Sequence, residues 1–294
     1  MTAVAYNLFV ILFGAWVRIS GSGAGCGEHW PMCNGEMVPR SPSVATMIEF
    51  THRVTSGVSL VVTLALLGMV FARTPKRHLA RKAAVANLLF ILLEALVGAG
   101  LVLFGLVDKN SSVARAVVIA LHLVNTLGLI ASGTCIALWA RHERPRVEWQ
   151  RQWLLPLGAG AIALTSASGA ITALGDTLFP VKATGETLAA RLQRELTTPE
   201  HFLERLRVFH PLIAIATAAF LVWAYLRALD QNQEQRRWGK AGLALVTGQV
   251  LVGIGNIALA APGWMQLVHL LLAGAVWLSW VGYSAARITR SDPP

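Results

Sequence analysis

Five side chains that could do chemistry stand inside long apolar segments of this 294-residue chain: Glu49, His52, His122, His210 and His269. An ionisable group in hydrocarbon is costly unless something binds it. Two histidines on facing helices can hold one iron between them, and the chain offers two such pairs. A zinc site would gather three or four His, Cys or carboxylate ligands. Here each pair stands alone, with Gly57, Gly98, Gly100 and Gly128 near the first and Gly253, Gly255 and Gly274 near the second. Small residues leave room for a flat macrocycle, although they also serve close helix packing. The expectation is haem ligation by all four histidines, rather than four polar residues packed between helices.

Glu49 lies three residues before His52, so both side chains leave one face of a helix. The matching place before His210 holds Arg207. A carboxyl group beside a haem edge can deliver or accept protons; an ion pair with Arg53 or Arg18 is the alternative. Arg53 and Arg18 could also meet haem propionates as charge-assisted pairs, and Arg18 could equally snorkel to headgroups. Glu94 reads as a structural hydrogen-bonding group, matched by uncharged Gln249. Cys26 and Cys33 flank Trp30-Pro31 in a glycine-rich loop where a disulfide closes easily, with a metal site using His29 as the alternative. Cys135 reads as a small buried residue. No role falls to His29, His78, His142 or His201.

The elements that position these groups follow from composition. The chain is 55% hydrophobic and 14% charged, far from a soluble domain's balance. Its apolar blocks reach the roughly 20 residues needed to span a bilayer. Eight spans are expected, near 3–20, 46–71, 83–107, 113–140, 153–175, 206–228, 239–260 and 264–286. The first lacks a basic stretch before it and reads as a retained helix, not a signal peptide. The net charge of +10 is concentrated in alternate loops, which argues against nucleic-acid binding. Arg73, Lys76, Arg77, Arg81 and Lys82 follow the second span, Arg141, Arg144, Arg146 and Arg151 the fourth, Arg227, Arg236, Arg237 and Lys240 the sixth, and Arg287 and Arg290 the eighth. The short loops between hold Arg40, Lys109 and Arg115. By the positive-inside rule both termini are cytoplasmic. The loop after the fifth span fits least well: Lys182, Arg191, Arg194, Arg205 and Arg207 stand there with Asp176, Glu186, Glu195, Glu200 and Glu204.

The chain also repeats itself at about 150–160 residues. Gly14-Ala15 answers Gly169-Ala170, Glu94…Gly98-Ala99-Gly100 answers Gln249…Gly253-Ile254-Gly255, His52 answers His210, and His122-Leu123 answers His269-Leu270. Four spans per half imply two four-helix bundles, residues 1–144 and 145–294, related as parallel repeats about an axis along the membrane normal. The histidines then share one depth, nearer the outer face. The fold class is an all-α integral membrane protein of eight transmembrane helices.

The loop Gly21-Ser22-Gly23…Cys26…Trp30-Pro31…Cys33-Asn34-Gly35, the segment Glu49-Phe50-Thr51-His52-Arg53 and the four histidines resemble the heme A synthase family over essentially the whole chain. The resemblance implies a bacterial cell-membrane oxidoreductase converting haem O to haem A for terminal oxidase biogenesis, through oxidation of the C8 methyl to a formyl group by way of an alcohol. It further implies that His52 and His122 flank the substrate haem in the first bundle, and that His210 and His269 ligate a haem b cofactor in the second. Glu49 would be the catalytic carboxylate and Cys26–Cys33 a disulfide. Haem O synthase, oxidase assembly factors and an unnamed electron donor would be the partners. The chain departs from the family in having no cysteine pair after the fifth span and little sequence before the first. A bis-histidine cytochrome b passing electrons only, or a non-catalytic haem carrier, are the competing readings; neither needs Glu49.

Overall fold

The computed structural model describes residues 1–143, 145–148, 152–181 and 187–291. Arg144, Arg151, Lys182 and Glu186, with the side chains of Arg191 and Arg290, lie outside the described residues. The helices are α1 (Thr2–Ile19), α2 (Val44–Arg73), α3 (Leu79–Leu103), α4 (Val113–Trp139), α5 (Leu154–Leu178), α6 (Leu188–Thr197), α7 (Phe202–Ala228), α8 (Gln233–Ala258) and α9 (Gly263–Ile288). All except α6 are long and apolar enough to cross a membrane. Their outer surfaces agree: Val61, Leu96, Ile215 and Leu251 are each more than 60% exposed, a surface suited to lipid and not to water. The protein is an integral membrane protein.

Three helices start four to six residues earlier than their apolar runs, because polar residues cap a polar first turn. His78 Nδ1 accepts from the amide of Ala80 at the head of α3. His201 Nδ1 accepts from Leu203 at the head of α7, and Asn232 Oδ1 from Gln235 at the head of α8. Two of the loop histidines to which no role fell are therefore helix caps. His78 Nε2 also lies 2.9 Å from the carbonyl oxygen of His142.

Helix neighbours trace two rings, α1–α2–α3–α4 and α5–α7–α8–α9, joined where α4 meets α5 and α9 and where α1 meets α9. The histidine-bearing helices are diagonal in each ring: α2 and α4 in the first, α7 and α9 in the second. The seam carries the main core, where Trp280, Tyr225, Tyr283 and Trp277 are buried with Leu127 and Ile130. Trp277 Nε1 donates to the carbonyl of Leu127 at 2.8 Å. Within the second ring glycine lets α5 approach α9, since a Cβ on Gly158 would stand 2.1 Å from the Trp280 ring.

Three elements go beyond the expected eight helices. Strands β1 (Pro145–Val147) and β2 (Thr289–Ser291) pair antiparallel, with Arg146 opposite Arg290, so the exits of α4 and α9 share one face. Trp139 Nε1 donates to Thr289 Oγ1 at 3.0 Å beside them. On the opposite face α6 packs against α7.

Candidate functional site

Every side chain singled out for chemistry within the spans lines a single cavity of about 1620 Å³: Glu49, His52, His122, His210 and His269, with Arg18 and Arg53 at its rim. Drug-sized ligands fill pockets of roughly 300–1,000 Å³, so the space exceeds one such molecule. His52, His122, His210 and His269 stand eight, nine, eight and six residues past the first residues of their helices. At 1.5 Å per residue that places them about 9 to 14 Å in, a closer match in depth than the expected span boundaries imply.

The seats of the imidazoles explain the repeated glycines. A Cβ on Gly14 would lie 3.0 Å from His52 Cε1, and one on Gly169 would lie 3.0 Å from His210 Cε1. Gly253 stands in the same relation to His269, at 3.2 Å. Gly57, Gly98 and Gly274 also line the cavity. Gly100, Gly128 and Gly255 do not make room for a macrocycle: a Cβ there would meet Phe104, Phe90 and Met265 respectively, so their smallness serves packing.

The donor set fits haem. In the second half the rings of His210 and His269 meet at 90° with centroids 6.4 Å apart. A separation of this size can accommodate one metal ion between a nitrogen of each ring. Ser168 Oγ lies 2.9 Å from Nδ1 of His210, leaving Nε2 as its open nitrogen. Gln249 Nε2 lies 3.2 Å from His269 Nε2, and His269 Nδ1 is buried without a hydrogen-bond partner. In the first half His52 Nδ1 and His122 Nδ1 are likewise buried without a hydrogen-bond partner, the latter 3.2 Å from Glu94 Oε2. Buried imidazole nitrogens left open in a cavity are what a haem iron would satisfy. Glu94 is thus more than a packing group: it also accepts from Asn125 and Thr126 and backs the ring of His122.

Glu49 is 4% exposed and is held from two sides. Arg53 pairs with Oε1, as one reading of the sequence expects, and the amide of Cys26 donates to Oε2 at 2.8 Å. Cys26 and Cys33 are joined by a disulfide, which closes the loop without a metal. Arg53 also donates to the carbonyls of His29 and Met32, at 2.6 and 2.7 Å. The loop is thereby folded over the first half, and Trp30 and Pro31 line the cavity. Arg18 does not snorkel outward: it donates to Ala173 O at 2.6 Å, to Thr177 Oγ1 and to Gln266 Oε1 at 3.0 Å, tying α1 to α5 and α9.

At the corresponding end of the second half, Arg207 Nε lies 2.8 Å from Asp176 Oδ1 and Nη1 lies 2.9 Å from Glu195 Oε1. Glu195 belongs to α6 and is 1% exposed. The loop whose basic residues fit the topology least well therefore neutralises part of its charge internally. The sequence signal for this cluster is Arg207 itself, an arginine one turn before a buried histidine.

Two diagonal histidine pairs face one cavity inside an eight-span helical bundle, an arrangement found here in an integral membrane protein whose cavity has the donors to ligate haem. The chain matches, over residues 1–281, the COX15-CtaA family, described as cytochrome oxidase assembly protein, and it belongs to that family. It is 50% identical over 290 residues to a protein named protoheme IX farnesyltransferase from Thermus thermophilus, covering 97% of this chain and 47% of that protein. The chain thus spans about half the length of that relative. It is 27% identical over 289 residues to the heme A synthase of an Exiguobacterium species, covering 97% and 92%. With the heme A synthase of Bacillus pumilus it shares 28% over 262 residues, covering 85% and 81%.

Proposed function

We propose that this chain is a heme A synthase, oxidising the C8 methyl of haem O to a formyl group through the alcohol, in a bacterial cell membrane with both termini cytoplasmic. The observation that carries the reading is the inequality of two otherwise similar histidine seats. His52 and His210 each rest on a glycine, yet only His52 has a buried carboxylate one turn away on the cavity wall. Electron transfer or haem carriage alone would need no such acid.

On this reading His52 and His122 flank the substrate haem, and His210 and His269 hold a b-type haem. That haem, when bound, would supply one-electron transfer. Glu49 takes up protons released as the methyl carbon is oxidised: Oε1 accepts from both Nε and Nη2 of Arg53, while Oε2 accepts only the Cys26 amide and keeps a lone pair for a proton. Arg53 and the Cys26 amide fix the carboxylate in place, and the disulfide loop keeps water from the first half. Arg18 and Arg53 offer cationic groups to propionates at the rim. The two rings are read as a duplicated unit, the halves 1–144 and 145–294 related by an axis along the membrane normal. Products of the reaction would serve oxidase assembly. The farnesyltransferase name of the longer Thermus relative supports a close association with the enzyme that makes haem O.

The test is Glu49→Gln, expressed in cells that make haem O, with pigments extracted from the membranes. The expected result is haem B retained and haem A reduced at least 100-fold, as for loss of a general acid–base group. Normal haem A from this variant would sink the assignment.

A further inference from the structure

Of the arginines lining the cavity, three already have protein partners for their charge or their donors. Arg53 pairs with Glu49, Arg207 with Asp176 and Glu195, and Arg18 spends Nη1 and Nη2 on α5 and α9. Arg115, on the first turn of α4, differs. It is 5% exposed and lines the cavity. Its Nη1 donates to two backbone carbonyls, Asp108 O at 2.6 Å and Asn110 O at 2.7 Å. Its Nε is buried and has no hydrogen-bond partner. A guanidinium has five N–H donors in a rigid fork suited to a carboxylate; Asp108 lies close enough to attract this one but accepts from it only through its backbone carbonyl, so Nε stays open.

Position supplies the second argument. Arg115 is seven residues before His122, two turns along α4 and on the same face, about 10.5 Å nearer the disulfide loop. A flat ring standing along α4 with its iron at His122 carries its rim toward Arg115. In the second half the residue seven before His269 is Pro262, which has no charge to offer.

We infer that Arg115 binds a propionate carboxylate of the substrate porphyrin and so sets which edge of the ring meets Glu49. This rests on the proposed function above. The C8 methyl and a propionate occupy adjacent carbons of the porphyrin rim, so gripping that propionate brings the methyl to the outer end of the cavity. Glu49 stands at that end, one turn outward from His52. Arg115 is thus a specificity-determining residue, and the site it forms takes a carboxylate.

The experiment titrates the purified full chain, with its resident haem, using iron protoporphyrin IX and its dimethyl ester, followed by absorbance. The unaltered chain should bind the diacid about 10- to 100-fold more tightly than the ester, the span of one charge-assisted hydrogen bond. Arg115→Gln should lose most of that preference. Arg115→Lys, which keeps the charge and can still reach the loop carbonyls, should restore part of the preference. A wild-type chain indifferent to esterification overturns the inference without any variant. So does a preference that survives Arg115→Gln at full size. Neither result touches the reading of the activity, which the Glu49→Gln pigments decide separately.

Discussion

The N-terminal parts of α2 and α7 each lead into a histidine and carry opposite charge one turn before it. In α2 the order is Glu49, His52, Arg53; in α7 it is Arg207, His210, Pro211. Each charged residue one turn before the histidine fastens a different covering element. Glu49, with Arg53, holds the disulfide loop through the Cys26 amide. Arg207 holds α6 through Glu195 and α5 through Asp176. Pro211 has no N–H to donate to Arg207 O, whereas Arg53 at the same place supplies a cation that grips loop carbonyls. The two helices share a glycine-backed imidazole seat and carry opposite chemistry above it. On the proposed reading, that reversal separates a reacting site from one that holds its haem permanently.

The comparison can be broken most severely at Arg207. Arg207→Ala removes the cation beside two carboxylates, one of them fully buried, and should cost about 3–5 kcal/mol. Thermal unfolding in detergent, followed at the absorbance of the b-type haem, would show it as an early loss of pigment. An unchanged midpoint would mean that α6 is held by other contacts. A finer cut is the glycine pair. Gly169→Ala and Gly14→Ala each push a methyl to 3.0 Å from an imidazole carbon, an overpacking of about 1–3 kcal/mol. Gly169→Ala should perturb the b-type spectrum, and Gly14→Ala should weaken substrate haem while leaving that spectrum intact. If both variants disturb the same pigment, the halves do not hold separate haems. The smallest effect belongs to the common face. Thr289→Val deletes the acceptor for Trp139 Nε1 and should cost about 1 kcal/mol, lowering the unfolding midpoint without selecting either half.

Much of this was legible in the sequence because membrane burial writes a strong signal. Eight apolar runs became eight long helices, and the four histidines, placed at similar depths along their helices, line one cavity. Most of what escaped depended on partners distant along the chain. The first turn of α7 looks like loop, since Glu204 and Arg205 stand before the expected span; it is helical because His201 caps it at the Leu203 amide. The short helix α6 is polar, and its anchor Glu195 is indistinguishable by type from Glu200 beside it. Arg115 reads as one of three stray cations in short loops. Its spacing of two turns from His122 is visible in the sequence, but only burial and an open Nε give that spacing meaning. Glu94 reads as a hydrogen-bonding group, while its contact with His122 requires the packing of α3 on α4.

The ribbon of β1 and β2 has a consequence for kinetics. The halves are connected once through the backbone, and two linked domains would by default rock against each other. Here the exit of the first ring is paired with the end of the last helix, while Arg18 crosses the seam near the opposite face. The halves are thus clasped at both ends of their contact, and the gap between their two histidine pairs is held constant. Electron tunnelling falls off steeply with distance, so a fixed gap means a fixed hopping rate. For an oxidation that removes electrons in successive steps, each step would then run across the same barrier.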